Sequence, residues 1–395
     1  MGRIRARWFM SLNRYDIIII GGGIIGATIA YRLALYKLRI LVLEKNPYLA
    51  EETSAANSGL IHGGFDPEPG KLEARFNVEG NKMWQSEIFP YLDFPRRKID
   101  SVVVALSDAE VSELNVLYQR GLTNGVHKKD LKIVGKKELL SKHPCLTSKA
   151  KAALICTSSW LIDPVKASLA MFGAAVQNGV EILRSSEVVN IKWKEKFWEV
   201  KVRDNSNIFR SRNIINAAGH YADTIANLAG QGNFELIARR GEYKVLSRSE
   251  SQCLKAVYFM VPTVHGKGVL VAPLLDGKVL VGPTAEDGVT KEDTRLVTDV
   301  KQSEIRKIGH HLVPNLDMNK VEMTLAGSRP IDKDTDDFII AYGTTSNNFI
   351  NVAGMQSPAI ASAPAIAFEV EKLLKSLPND FQIDTEFNPH YKLIY

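Results

Sequence analysis

The chain has 395 residues, of which 45% are hydrophobic and 24% charged. This composition is ordinary for a globular protein and excludes a disordered tail protein, a collagen and a coiled coil. The length predicts two or three domains. The 50 lysine and arginine residues exceed the 44 acidic residues and give a net charge of +6. This excess raises the question of whether the partner is a nucleic acid, a membrane surface or a small anion.

Residues 1–10 contain three arginines and no acid, and we expect them to be disordered. No apolar segment follows them, so no signal peptide is predicted. The longest apolar run, 17–31, is shorter than the about 20 residues that a bilayer span needs, so no integral membrane segment is expected. The three cysteines share no metal-ligand spacing, and no metal is predicted. Reduced thiols indicate a cytoplasmic protein, with attachment to a membrane surface left open.

The first structural signal is a strand, a glycine turn, a helix and a second strand over residues 15–44. The apolar run 16–20 is typical of a strand that is buried on both faces. The turn that follows, GGGIIG, fits the pattern G-x-G-x-x-G. Gly21 permits the tight turn, Gly23 lets a pyrophosphate approach the backbone, and Gly26 lets the helix pack closely on the strand.

Glu44 ends the second strand, where an acid bonds the ribose hydroxyls of an adenosine. Together with the turn, it predicts dinucleotide binding. A carboxylate at this position disfavours the 2′-phosphate of NADP, while the fingerprint alone leaves FAD and NAD open.

Further elements follow in chain order. Helices are predicted from a capping box at 107–110, from Asp163-Pro164 to 178–179, and over about 357–374. Residues 188–215 predict three strands, and 239–284 is rich in strands. Small residues at 213–219, including Gly219, follow a strand and would let the backbone pass close to a cofactor. The pattern is interleaved, because the C-terminal part returns to the N-terminal nucleotide-binding part.

Several motifs together resemble a known family. The segment ETSAANSGLIHGG at 52–64 resembles the flavin-contacting loop of glycerol-3-phosphate oxidases and dehydrogenases and of related L-2-hydroxyglutarate oxidases. Five more segments resemble the mycoplasma-type glycerol-3-phosphate oxidases, which are D-amino-acid-oxidase-like flavoproteins: RRGEY at 239–243, VPTVHGKG at 261–268, VGPT at 281–284, AGSRP at 326–330 and GMQSP at 354–358. The resemblance covers about residues 14–375.

This resemblance implies a mixed α/β fold in which a Rossmann-like FAD-binding domain is interleaved with a substrate domain on a largely antiparallel sheet. The FAD-binding domain is expected over 14–90, 150–230 and 325–375. The substrate domain is expected over 91–149 and 231–324, and residues 376–395 form a C-terminal tail.

His62 matches the family's catalytic histidine. A neutral imidazole suits proton removal from an alcohol because its pKa lies near working pH. A purely structural histidine is the alternative.

The resemblance also implies residues for substrate and cofactor. Arg329 matches the arginine that anchors the substrate, and a guanidinium group suits an anion because it donates in a fork. Lys267 matches a family lysine in the substrate pocket, where it serves either the phosphate or the flavin and oxygen. Ser58 and Ser357 match positions that contact substrate. Positions expected to contact non-covalently bound FAD are Gly21, Gly23, Ile25, Gly26, Glu44, Ser54, Val188, Gly219, Met355 and Gln356.

The implied activity is FAD-dependent oxidation of sn-glycerol 3-phosphate to dihydroxyacetone phosphate, with O2 as acceptor and H2O2 as product. The partners are then a small phosphorylated substrate and O2, and no nucleic acid. An oxidase or dehydrogenase of L-2-hydroxyglutarate or another 2-hydroxy acid is the alternative, with the same arginine on a carboxylate. A flavin-containing binder of nucleic acid or membrane surfaces is disfavoured, because the basic runs at 96–98 and 239–240 are short and separate. The oligomeric state and the choice between oxidase and dehydrogenase stay open.

Overall fold

The computed structural model describes residues 13–262, 269–378 and 381–392. The α-helices are α1 Ile24–Leu33, α2 Leu72–Met83, α3 Asp108–Thr123, α4 Lys136–Lys142, α5 Pro164–Gln177, α6 Ala222–Leu228, α7 Asp299–Leu312 and α8 Ala359–Lys375. The strands are β1 Arg14–Ile20, β2 Ile40–Leu43, β3 Leu60–Ile61, β4 Leu92–Asp93, β5 Arg96–Lys98, β6 Asp100–Ala105, β7 Leu131–Gly135, β8 Ala152–Cys156, β9 Trp160–Ile162, β10 Glu181–Leu183, β11 Val188–Lys194, β12 Phe197–Val202, β13 Ile208–Asn216, β14 Leu236–Leu246, β15 Ala256–Met260, β16 Leu270–Pro273, β17 Val279–Gly282, β18 Glu286–Val289, β19 Val321–Asp332, β20 Ile339–Tyr342, β21 Phe349–Ala353 and β22 Tyr391–Lys392.

The first sheet has a parallel centre. Its strands β10, β2, β1 and β13 run parallel. The C-terminal residues 214–216 of β13 pair in parallel with β21. The N-terminal residues 208–211 of β13 pair with β12, which in turn pairs with β11, and both of these pairings are antiparallel. The apolar run of β1 is buried because the strand has a partner on each side and helices on its face. The predicted strand, turn, helix and strand form this centre.

The second sheet has nine strands, in the order β18, β14, β17, β16, β15, β6, β8 and β7, with β19 also paired to β14. Its neighbours are antiparallel except for β15 and β6. The mixed α/β fold with a largely antiparallel second sheet is therefore confirmed. Two strands that follow or span the predicted segment boundaries at 150 and 325 still belong to the second sheet. Strand β8 pairs with β6 and β7, and β19 pairs with β14 along its length.

Local sequence signals fix the helix ends. The Ser107 hydroxyl accepts the Glu110 N–H at the start of α3, and the Asp163 carboxylate accepts the Lys166 N–H at the start of α5. Helix α8 packs on α1 and α2, with apolar side chains in a core that also covers the first sheet. The first turn of α8 lines a cavity between the two sheets, so this packing fixes part of the cavity wall.

Four further sequence expectations concern the N-terminus, membrane spans, metal sites and the cysteines. Residues 1–10 lie outside the described part of the chain. Among the described residues, no helix is long and apolar enough to cross a membrane, and no group of three or more histidine, cysteine, aspartate or glutamate residues could hold a metal ion. The three cysteines are free thiols.

Helices α2 and α8 pack closely at Gly80. A Cβ atom at Gly80 would lie 2.2 Å from the Ala361 carbonyl oxygen. Alanine favours a helix over glycine by about 1 kcal/mol, but overpacking against backbone costs about 1–3 kcal/mol. We therefore expect Gly80→Ala to lower the free energy of unfolding in urea. The control Gly135→Ala, with open space around its Cβ position, should change it by less than about 1 kcal/mol. A Gly80→Ala protein as stable as wild type contradicts this packing.

Candidate active site

A cavity with about 1200 Å³ of empty space, part of it open to solvent, lies where the two sheets meet. Concave sites between structural layers are common places for a small molecule or cofactor to bind. Ten of the residues singled out in the sequence line it: Gly23, Ile25, Ser54, Ser58, His62, Gly219, Arg329, Met355, Gln356 and Ser357.

Four other candidates do not line this cavity: Gly21, Gly26, Glu44 and Val188. Gly21 and Gly26 belong to the glycine turn, Glu44 lies beside that turn, and Val188 is the first residue of β11. Lys267 lies outside the described residues.

The glycine turn is closely packed. A Cβ atom at Gly21, where φ is +119°, would lie 2.2 Å from the Ala217 carbonyl oxygen. A Cβ atom at Gly26 would lie 2.0 Å from the Gly21 carbonyl oxygen. These distances exclude a side chain at either position, so the end of β13 and the first turn of α1 both approach the turn closely.

Glu44 is held beside this turn. Its carboxylate accepts the Gly22 N–H at 2.7 Å and the Asn46 N–H at 2.8 Å. Burial raises the pKa of Glu44, and these two backbone hydrogen bonds oppose the shift. The segment before β11 runs alongside, because the Ser186 N–H donates to the Glu44 carbonyl oxygen, and Val188 follows in the buried part of β11.

The first turn of α1 faces the cavity with Gly23, Ile24 and Ile25. The N–H groups of a first turn have no partners within their own helix. The Ile24 N–H donates to the Ser54 hydroxyl at 3.0 Å, so a loop residue caps this helix. The positive end of the helix dipole favours an anion here.

The loop 53–59 is fixed by Asn57. Its amide group donates to the carbonyl oxygens of Thr53 and Ser54, and its side-chain oxygen accepts the Gly59 N–H. This loop presents Ser58 to the cavity.

His62 follows β3 and is partly buried. Its backbone carbonyl accepts hydrogen bonds from Asn77 at 2.8 Å and Asn81 at 2.9 Å, both on α2 and one turn apart. Its ring centroid lies 6.2 Å from that of Phe259. Neither asparagine was predicted from the sequence to belong to the site. Their i, i+4 spacing is visible in the sequence, but only the tertiary contact shows what they hold.

Arg329 projects from β19 into the cavity wall. Its guanidinium makes no hydrogen bond or ion pair with any residue that the structure describes. Burial lowers the pKa of Arg329, yet an arginine stays protonated in proteins. Arg239, its neighbour across the strands, instead forms a two-pronged pair with Asp287. The cavity wall therefore holds a cation that makes no ion pair within the described residues, although Asp287 and Asp66 contribute favourable electrostatics.

The start of α8 also borders the cavity. Ala359 and Ile360, in the first turn, line it together with Met355 and Gln356. The Gln356 amide donates to Asp336 at 2.9 Å, which fixes the segment before the helix. Two helix N-termini, those of α1 and α8, thus face one cavity. A glycine turn without room for side chains and a helix terminus suited to phosphate, both at this cavity, together fit a dinucleotide.

Comparisons with known proteins agree with this geometry. The family model for FAD dependent oxidoreductases, DAO, matches residues 16–373. The chain is 45% identical to the glycerol 3-phosphate oxidase of Mycoplasma pneumoniae over 91% of this chain and 94% of that protein, and 39% identical to that of Mycoplasma genitalium over 97% and 99%. A solved structure of L-alpha-glycerophosphate oxidase from Mycoplasma pneumoniae, dithionite reduced with FAD bound, has a TM-score of 0.94 at 43% identity, covering 97% of this chain and 99% of that one. The resemblance predicted from the motifs is confirmed. The chain belongs to the family of FAD dependent oxidoreductases.

Proposed function

We propose that this chain is an FAD-dependent oxidase that converts sn-glycerol 3-phosphate to dihydroxyacetone phosphate, with O2 as electron acceptor and H2O2 as product. One observation carries the proposal: the cavity that fits the cofactor is lined by His62 and by Arg329, and Arg329 makes no ion pair within the described residues. The names of the two mycoplasma relatives support the choice of substrate.

The unit from β1 to β2 in the first sheet would hold the cofactor. Glu44 would bond the ribose, and the first turn of α1 would face the pyrophosphate. The other residues proposed to contact it are Gly21, Gly23, Ile25, Gly26, Ser54, Val188, Gly219, Met355 and Gln356. When bound, FAD supplies the hydride acceptor and passes the electrons on to O2.

His62 is proposed to take the proton from the C2 hydroxyl of the substrate as the hydride leaves C2. A neutral imidazole has a free lone pair for this proton, and its ordinary pKa lies near neutral pH. Asn77 and Asn81 hold the His62 carbonyl and so limit the movement of the residue.

Arg329 is proposed to bind the phosphate. A half-buried guanidinium without a carboxylate partner is unfavourable unless an anion completes it, and phosphate oxygens match its forked donors. Ser58 and Ser357 line the same cavity and are proposed to orient the substrate. Lys267 is the second proposed cation, for the phosphate or for the flavin and oxygen. A carboxylate would fit the guanidinium too, so a 2-hydroxy acid is the competing substrate.

Substrate identity is tested by reducing the enzyme-bound flavin without oxygen. Glycerol 3-phosphate, L-2-hydroxyglutarate and glycerol are added separately under anaerobic conditions, and the flavin absorbance is followed. We expect bleaching with glycerol 3-phosphate at the lowest concentration, because it alone combines a phosphate with a secondary alcohol. Air admitted afterwards should give one H2O2 per flavin, as an oxidase requires. Bleaching by L-2-hydroxyglutarate and not by glycerol 3-phosphate would refute the proposal.

Replacement of the proposed base tests the proton transfer. His62→Ala should lower the rate of anaerobic flavin reduction by roughly 10²–10⁴-fold, the usual contribution of a positioned acid or base, with FAD still bound. The matched control is His310→Ala, since His310 is exposed at the end of α7. Reduction of the His62→Ala flavin at the wild-type rate shows that another group takes the proton.

Replacement of the proposed anchor tests the phosphate site. Loss of one partner from a buried charge pair costs about 2–5 kcal/mol, so we expect Arg329→Met to lower kcat/KM for glycerol 3-phosphate by roughly 10²–10³-fold. Arg239→Met is the control, because the Arg239 guanidinium is already paired with Asp287. Equal losses in the two variants would contradict the assignment of the phosphate to Arg329.

A further inference from the structure

We propose that His220 is a positioning residue for Arg329: with Thr53, it holds the peptide from which the Arg329 side chain projects. This contact would set the position of the Arg329 guanidinium; the choice of substrate in the test rests on the proposed function.

The contact is a carbonyl oxygen shared by two donors. The Ser328 carbonyl accepts the Thr53 hydroxyl at 2.9 Å and the His220 Nε2–H at 3.1 Å. Thr53 belongs to the loop 53–59, and His220 follows the end of β13 in the first sheet. Ser328 lies in β19, which pairs with β14 and with no other strand of the described chain. The two side chains thus tie an edge of the second sheet to the first sheet.

The protonation state of His220 follows from its partner. A carbonyl oxygen only accepts, so Nε2 carries the proton and Nδ1 carries the lone pair. The residue is 5% exposed, and burial lowers its pKa to about 4. Nδ1 is buried without a hydrogen-bond partner among the described residues. An unsatisfied buried acceptor costs about 1–3 kcal/mol, so the favourable polar contribution of His220 is its bond to Ser328.

The position of this bond connects it to Arg329. Ser328 and Arg329 are consecutive in one strand, so their side chains point to opposite faces while sharing one peptide. The strand also presses against the loop 53–59, because a Cβ atom at Gly327 would lie 2.2 Å from the Ala56 carbonyl oxygen. Without the His220 donor, the Ser328 carbonyl loses one of its two side-chain donors, and the strand edge is free to shift. A shift of about 1 Å in a substrate-positioning group can lower a rate by about 10²-fold.

The test is a double-mutant cycle on His220 and Arg329. His220→Phe removes the donor and keeps an aromatic ring, while His220→Gln keeps a side-chain N–H. We expect His220→Phe to raise KM for glycerol 3-phosphate more than it lowers kcat and to lower kcat/KM by about 10–100-fold. His220→Gln should restore much of this loss, and the exposed-residue control His310→Gln should match wild type. Retained FAD with a wild-type flavin spectrum would show that the His220→Phe protein is folded.

The cycle identifies the route of the effect. If His220 acts through Arg329, His220→Phe should lower kcat/KM no further in the Arg329→Met background. Losses that multiply in the double variant overturn the inference, and so does His220→Phe with wild-type kcat/KM. Thr53→Val and Thr53→Ser provide an independent pair on the same carbonyl, with loss expected in the first and recovery in the second. If wild type reduces its flavin with L-2-hydroxyglutarate alone, the proposed function is wrong, and the same cycle on that anion still tests His220.

Discussion

The proposed chemistry depends on the positive charge of Arg329. Arg329 lies in the wall of the cavity, partly removed from water, and has no ion-pair partner among the described residues. A cation in this position is unfavourable until an anion arrives, because its attraction to water has been weakened and no carboxylate replaces it. The proposed substrate supplies that anion, so the same interaction provides affinity and places the alcohol end of the molecule in the cavity with His62.

The cavity exists because neither sheet builds it alone. The first sheet contributes the glycine turn, the first turn of α1 and the end of β13, and the second contributes β19 with its arginine. Both proposed reactive residues are held by their backbone neighbourhood: two asparagines donate to the His62 carbonyl, and two side chains donate to the carbonyl just before Arg329. Such contacts reduce the motion of the reacting groups relative to each other, which favours rate over mere binding.

The sequence predicted those features that depend on neighbours in the chain. The unit from β1 to β2 and the caps at Ser107 and Asp163 follow from local pattern and were visible in it. The sheet membership of β8 and β19 was not, because strand pairing is set by distant partners. The donors on the two carbonyls were also missed, since an asparagine, a threonine or a histidine in isolation does not show which backbone oxygen it meets. Ten residues singled out from motifs line one cavity, and their roles stay predictions.

The most direct measurement of the central claim is a crystal structure of the FAD-loaded His62→Ala protein with glycerol 3-phosphate, since slow turnover keeps the substrate intact. The account predicts phosphate oxygens about 2.7–2.9 Å from the Arg329 guanidinium, the distance of charge-assisted hydrogen bonds. It also predicts that the C2 hydroxyl faces the space left by the imidazole. A phosphate bound elsewhere, with Arg329 paired to a carboxylate of the protein, would contradict the account.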